Sequence, residues 1–467
     1  MSQSGAQITS PSFAKPAEGG RPVKILAFGD SPTRMTGFGR VMRNVLQRWW
    51  ETAVETTAEP AGGTPALHCW GIGYEGWPHD LPCRIFPGGT HDWNSAPRLS
   101  QFLKVLADGQ YTQVFMLMDP DALSVHGFPQ KLRQMCKARG IRVLLYYPVD
   151  APLEPEWLGI LDAADVAVSY TEYGREATRR AMGKSQYPIE VVPHGVDECF
   201  APMSVEDRAK ARVIEFELET PAADKNVRAP RRRFNFVEDD TFLMLGVNKN
   251  EWRKDPLRML EILVGLRRLD VPAKLLLRMD PMSAMGGVHL ELAAKQLGLT
   301  YGKEWCHIGP VADELLAGLY NAADLYLTTS LGEGWGLGVT EAMACHTPVA
   351  MPRHTSLAEI GEALGEGTQG ASGEAPDAAR EARALPGVIW LPMETGFVCG
   401  ADTRLRRRVG LQGAIQRIYE ARDHGRCGNG VRNALAPGLP NNPHPPCGHL
   451  LPLPWAKELR AEDLWPL

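Results

Sequence analysis

The sequence predicts an α/β protein with two doubly wound parallel-sheet domains. Three observations carry that expectation. Short apolar runs alternate with helical stretches along most of the chain, the pattern of a parallel sheet covered by helices on both faces. The alternation breaks once, over residues 199–240, and then resumes. The chain has 467 residues, too many for one compact core.

The first run, residues 23–29 (VKILAFG), is almost wholly apolar and ends on glycine. It reads as a strand buried on both faces. A Gly/Ser/Pro/Thr loop follows, then a helix with apolar positions Val41, Val45 and Leu46. Residues 113–118, 143–147, 166–169 and 189–192 supply the further strands of this half. Residues 199–240 are charged, carry Arg231-Arg232-Arg233 and show weak periodicity, so they read as a connection with some helix. Beyond them the expected order is strand 242–247, helix 256–269, strand 273–278, helix 290–297, strand 306–308, helix 313–322 and strand 325–328. Both halves are thus Rossmann-like, and ligands are expected at the carboxyl ends of their strands. Residues 361–385 are rich in Gly, Ala and Glu and read as a surface loop. Beyond about residue 424 the chain is rich in Pro, Gly and Asn, without a core pattern.

Composition excludes several classes. The apolar fraction is 44% and the charged fraction 22%, as in soluble globular domains. A net charge of −5 gives no chain-wide basic footprint for nucleic acid. The nine cysteines are scattered and form no CxxC pair, so zinc and dithiol chemistry are disfavoured and reduced cytoplasmic thiols are expected. Residues 1–20 are small and polar and read as a flexible leader. No apolar run approaches the roughly 20 residues that span a bilayer.

The densest chemistry lies after the strand at 325–328. Ser330-Leu-Gly leads into Glu333-Gly-Trp-Gly-Leu-Gly, and a helix follows from Val339. Gly336, Leu337 and Gly338 allow close backbone approach to a ligand. Free N–H groups at the helix start favour an anion such as a diphosphate. Glu333 on the loop and Glu341 one turn into the helix place two carboxylates against one ligand. By spacing alone, a glycine-rich turn with a capped helix accounts for the pattern equally well.

The longer pattern is more specific. Glu333-Gly-Trp-Gly-Leu-x3-Glu341-Ala-Met-Ala-Cys-x-Thr-Pro-Val, with Ala358-Glu359-Ile360 downstream, resembles the E-x7-E signature of retaining glycosyltransferases of family 4, which have the GT-B fold. Pro193-His194-Gly195-Val196-Asp197, followed by Phe200 and Pro202, resembles that family's domain boundary. Gly246-Val-Asn248-Lys-Asn-Glu-Trp-Arg253-Lys254 resembles its phosphate segment. Leu319-Tyr-Asn-Ala-Ala-Asp324 is similar to the helix before its donor loop. The resemblance covers roughly residues 22–400, and some members of this type are phage-encoded.

The resemblance implies residues 21–198 as an acceptor-side domain, 199–240 as a connection and 241–400 as a donor-binding domain. It implies a C-terminal helix within 401–467, starting near 411–421 and followed by the Pro-rich tail. Glu333 would contact the transferred sugar and Glu341 the ribose hydroxyls. Gly336, Leu337 and Gly338 would meet the sugar and distal phosphate, and Ile308 would wall the base. Arg253 and Lys254 would neutralise the departing diphosphate, where negative charge develops. No bound cofactor or metal is expected, only a UDP- or GDP-linked sugar as co-substrate. Two positions depart from the family. His346 stands where Gly is usual, implying a changed turn or a side chain in solvent. Asn248 stands where Arg is usual.

On the acceptor side, Thr36, Gly37 and Gly39 open the first helix and would lie under the diphosphate. Asp150 ends the strand at 143–147, where many relatives have His. A carboxylate there can hold a sugar hydroxyl or accept its proton, or cap the helix that follows. Asp119 and Ser169 end neighbouring strands. Two acceptors stay open: a glycan, or a hydroxymethylated base in phage DNA, for which the basic clusters 228–233 and 404–408 would hold phosphates. Sugar-nucleotide hydrolysis or epimerisation, or non-catalytic binding, is the alternative. The expected protein is cytoplasmic, without membrane insertion, and a monomer or weak dimer.

Overall fold

A computed structural model describes residues 23–56, 66–76, 78–219, 231–282, 287–365, 387–396 and 406–423. The expected leader, the rest of the 361–385 loop, the Pro-rich tail, Trp77, Arg228, Arg404, Cys399, Cys427 and Cys447 lie outside these residues. The chain divides into two compact units, Met1–His194 and Gly195–Leu467, so the division falls inside Pro193-His194-Gly195-Val196-Asp197.

The first unit holds seven parallel strands. They are β1 (Lys24–Asp30), β2 (Ala66–Ile72), β3 (Arg84–Pro87), β4 (Gln113–Leu117), β5 (Arg142–Tyr147), β6 (Val166–Ser169) and β7 (Glu190–Val191). Their order in the sheet is β3-β2-β1-β4-β5-β6-β7. β1 is central because it is buried along almost its whole length and pairs in register with both β2 and β4. The strand order reverses between β1 and β4. That reversal opens a crevice at the carboxyl edge of such a sheet, where ligands bind. The sequence reading placed β1 and β4–β7 closely but did not anticipate β2 and β3.

Residues expected as a mere connection carry structure of their own. Helix Val205–Ala211 is followed by an antiparallel hairpin of β8 (Glu215–Glu219) and β9 (Arg231–Asn235). In its register Arg233 stands opposite Glu217, and Arg231 opposite Glu219. This part of the connection thus folds as a hairpin, which its weak periodicity does not announce. Phe200, Phe236 and Val237 are buried in the core of the second unit, so this stretch belongs to that unit.

The second sheet comprises β10 (Phe242–Val247), β11 (Ala273–Arg278), β12 (Trp305–Ile308), β13 (Leu325–Leu327), β14 (Val349–Pro352) and β15 (Val388–Leu391). The order is β12-β11-β10-β13-β14-β15, all parallel. Alternate residues feed two cores: Met244, Leu275 and Leu277 on one face, Leu243, Leu245 and Leu276 on the other. Helix Leu411–Asp423 closes the first of these cores with Ala414, Ile415, Ile418 and Ala421. A second hairpin, β16 (Met393–Gly396) with β17 (Arg406–Val409), precedes it. Here the order reverses between β10 and β13, so the crevice of this sheet lies between the segments that leave those two strands.

Candidate functional site

Both halves of the expected donor constellation sit at that reversal. Arg253-Lys254 form a short helical turn, Trp252–Lys254, after β10, and Glu333–Glu341 follow β13. Helix Leu337–Ala344 starts at Gly336, whose φ is +100°, a backbone state that side-chain-bearing residues avoid. Gly338 is held for a different reason: a Cβ there would lie 2.4 Å from Tyr326 Oη. Tyr326 Oη in turn donates to Val247 O at 3.2 Å, tying the first helical turn to the end of β10. Glu341 is buried at 4% exposure and accepts a 2.8 Å hydrogen bond from Tyr320 Oη.

The two segments are joined by charge. Lys254 Nζ lies 2.6 Å from Glu333 Oε1, and Arg253 Nη1 lies 3.9 Å from Oε2. Burial pushes the Glu333 carboxyl up, but Lys254 and Arg253 outweigh it and hold the group below the ordinary carboxylate value. Arg253 also donates to Gly332 O, and Leu331 N donates to Arg253 O at 2.7 Å. Thr329 Oγ1 donates to Lys254 O or Asp255 O, at 3.0 and 2.9 Å. The basic turn is thus fastened to the strand that launches the glycine loop.

A third segment, after β14, braces Glu333 itself. Glu333 N donates to Thr355 Oγ1 at 3.2 Å. Ser356 Oγ lies 2.7 Å from Glu333 O and 2.8 Å from Trp335 O. Thr355 has φ +47°, an uncommon state for a β-branched residue. Below the basic turn, Asp255 takes two 2.9 Å hydrogen bonds from Arg408 of β17, beside Arg258 and Glu261. Tyr326, Thr355 and Ser356 were not anticipated, nor were the roles of Tyr320 and Arg408, which stood only within a helix motif and a basic cluster. The one signal available was Thr355-Ser356 before Leu-Ala-Glu-Ile, a helix-start pattern.

Ile308 ends β12, two strands from β10, at the same carboxyl edge. Asn248 follows β10 directly, and its Nδ2 is buried with no hydrogen-bond partner among the described residues. His346 has φ +58° and an exposed side chain. The turn is therefore the left-handed one a glycine would make, with the imidazole pointed to solvent.

In the first unit the expected residues gather at the carboxyl edge of its sheet, several in structural roles. Thr36 Oγ1 donates to Asp30 and accepts from Gly39 N at 3.0 Å, which caps helix Gly37–Thr56. A Cβ on Gly39 would lie 2.5 Å from Arg34 O, so the turn itself demands glycine there. Gly37 is exposed at the helix start. Ser169 is fully buried, and its hydroxyl donates to Thr171 O at 3.0 Å. Asp119 stands at the start of Pro120–Leu123 without a side-chain capping bond. Asp150 is half-buried beside Tyr173. It does not cap the following helix, which is a 3-10 segment beginning at Pro155 behind Glu154.

Comparison with known proteins agrees with this architecture. Sucrose-phosphate synthase of Thermosynechococcus elongatus superposes with a TM-score of 0.57 at 16% identity, covering 86% of this chain and 90% of that one. Anabaena HepE, solved in complex with UDP-glucose, gives 0.51 at 15% identity, covering 72% and 82%. The fold is GT-B. Residues 229–385 match the family model of glycosyl transferases group 1. That stretch contains β9–β14 and the donor-side residues described above apart from Arg408. The D-inositol 3-phosphate glycosyltransferase of Geodermatophilus obscurus is 32% identical over 166 residues, 34% of this chain and 36% of that protein. Its counterpart from Corynebacterium jeikeium is 27% identical over 202 residues, 42% and 43% of the two chains. The alignments thus span less than half the length of these curated relatives.

Proposed function

We propose that this GT-B protein is a retaining glycosyltransferase that moves a sugar from a nucleoside diphosphate sugar to a hydroxyl acceptor. One observation carries the reading: two carboxylates, two cations and a glycine-opened helix N-terminus converge on the reversal point of one parallel sheet. Separately each feature has a structural explanation. Together they form a charged crevice suited to a diphosphate with a sugar on one side and a ribose on the other.

In this reading the diphosphate enters between Arg253-Lys254 and the start of helix Leu337–Ala344. Arg253 grips oxygens through its fork, and Lys254 supplies a point charge. Lys254 exchanges part of its pairing with Glu333 for the phosphate, which frees a carboxylate oxygen for a hydroxyl of the transferred sugar. Glu341, oriented by Tyr320, takes ribose hydroxyls. As the sugar–phosphate bond breaks, negative charge grows on the phosphate that the two cations and the helix start already face. They stabilise the transition state more than the ground state. UDP is the favoured nucleotide, since it is the one bound by HepE.

The acceptor is a carbohydrate or polyol hydroxyl rather than modified DNA. Arg408, from one of the two basic clusters, is committed to the buried Asp255. No described helix is long and apolar enough to cross a membrane.

The test is a thermal shift with UDP, UDP-glucose, GDP and GDP-mannose, followed by transfer of radiolabelled sugar. The matching nucleotide raises the melting temperature by mass action. Glu341→Ala removes most of that rise. No response to any of the four defeats the reading. Label moving to water alone would make the protein a hydrolase. Label moving to hydroxymethylated duplex DNA would restore the DNA acceptor.

A further inference from the structure

From the contacts after β14 we infer that His354 and Thr355 form a hydrogen-bonded relay that positions Glu333 for the transferred sugar. The inference rests on the donor-site reading above and adds two positioning residues to it.

The relay is legible atom by atom. His354 Nε2 lies 2.8 Å from Ser330 O, a carbonyl that can only accept, so Nε2 carries the proton. In the neutral ring Nδ1 is then the acceptor. Thr355 Oγ1, 3.1 Å from Nδ1, donates to it. The lone pairs of that hydroxyl are left for Glu333 N–H, which reaches it at 3.2 Å. Ser330 Oγ donates to Gly332 O at 3.0 Å, closing the far side. Ser356, buried at 0% exposure, fixes the carbonyls of Glu333 and Trp335. The strand end at Ser330 and the backbone of Glu333 are thereby locked into one geometry.

Two further observations separate this from ordinary loop packing. Thr355 holds φ +47°, a strained state for a β-branched residue that persists only where surroundings impose it. A glycine would take that conformation without strain but could not supply the hydroxyl. Burial also lowers the His354 pKa from its ordinary value, keeping the ring in the neutral form the relay requires, although Ser330 and Glu333 oppose the shift. Glu333 already has charged partners in Lys254 and Arg253, so the relay adds direction rather than charge. Placement to within about 0.5 Å is what such a group demands, and misplacement of about 1 Å costs on the order of 100-fold in rate.

The experiment uses the full chain with UDP, UDP-glucose, GDP and GDP-mannose, reading affinity for the free diphosphate separately from turnover of the sugar ester. Thr355→Val keeps the branched shape and removes the hydroxyl. Its expected result is diphosphate affinity within about 2-fold of wild type with turnover down about 10- to 100-fold. Thr355→Ser restores turnover to within about 3-fold, and Thr355→Gly, which relieves φ, does not. Should the valine variant fail to fold, His354→Leu carries the same expectation, with His354→Gln restoring the donation to Ser330 O and part of the rate. Wild-type turnover in Thr355→Val and His354→Leu overturns the relay and leaves the donor site standing. Equal loss of diphosphate affinity and turnover also overturns it, since that marks general support of the pocket. If wild-type protein binds none of the four nucleotides, the donor-site reading fails and takes the relay with it.

Discussion

Lys254 and Glu333 meet at 2.6 Å although 79 residues separate them in sequence. Their pairing spans the reversal point of the second sheet, joining the segment after β10 to the segment after β13. It makes the crevice a preformed charge pair rather than two unrelated loops.

Removing one partner of this pair leaves the other buried with weaker compensation. Lys254→Ala leaves Glu333 with Arg253 at 3.9 Å as its nearer remaining cation. A loss of about 2–4 kcal/mol is expected, by analogy with broken buried pairs. The double change Lys254→Ala, Glu333→Gln should lose less than the sum of its two single changes, as coupled neighbours do. Urea midpoints of the four proteins measure this. The pH dependence has a definite sign. Glu333 is held below its ordinary value of 4.5, so the pairing contributes fully above that pH and is lost as pH falls through the lowered value. The wild-type advantage over Glu333→Gln should therefore shrink on acidification; growth would contradict the pairing.

Arg408 and Asp255 form the foundation of the basic turn. The guanidinium donates twice, at 2.9 Å each, to a carboxylate with 0% side-chain exposure. Arg408→Ala is expected to cost about 3–5 kcal/mol and to impair donor turnover by loosening Arg253-Lys254. Arg408→Lys should recover little, because an ammonium cannot reproduce the fork. Full recovery in the lysine variant, read by thermal unfolding, would show that charge alone suffices.

Much of this was readable from sequence, for identifiable reasons. Strand β10 and helix Pro256–Arg268 announce themselves because burial on both faces gives continuous apolar runs. Glu333 and Glu341 stood out because their spacing is set within one loop and one helix. The Arg408–Asp255 link, 153 residues long in sequence, left no local trace. β2 escaped because His68 and Gly71 break its apolar run, and β14 because it is short and ends on Pro352. Ser169 and Gly39 were expected at a ligand, yet caps and tight turns favour the same residue types as binding loops. Local patterns do not separate those uses; the structure adds the hydrogen bond of Ser169 and the crowding at Gly39 as structural reasons for these residue types.

Gly338 tests whether the glycine loop is shaped by its own packing. Gly338→Ala places a methyl 2.4 Å from Tyr326 Oη and 3.2 Å from Tyr320 Oη. Overpacking of this kind costs about 1–3 kcal/mol. Since Tyr320 orients Glu341, donor affinity should fall as well. Tyr326→Phe removes the atom that collides most closely, so the double variant should be more stable than Gly338→Ala alone. Unfolding midpoints and nucleotide affinity check both effects, and simple additivity would show that the methyl is accommodated elsewhere.

His194 gives the first unit a separate acid sensitivity. Its ring lies 4.2 Å from Tyr170 and accepts or donates one hydrogen bond to Tyr146 Oη at 2.8 Å. Tyr146 Oη donates to Val192 O at the same 2.8 Å, so the hydroxyl is left to accept from His194 Nδ1. Burial lowers the His194 pKa to about 4 from an ordinary 6.5. Between those values the unfolded chain binds a proton that the folded chain refuses. Stability contributed by the neutral ring is therefore complete above about pH 6.5 and declines as pH falls toward 4, by about 2 kcal/mol after allowing for partial exposure. His194→Gln keeps a donor toward Tyr146 and removes the titration. Its urea midpoint should fall less than that of wild type between pH 6.5 and 4.5. Parallel slopes in the two proteins would assign the acid loss to the carboxylates instead, since only the difference between them isolates the imidazole.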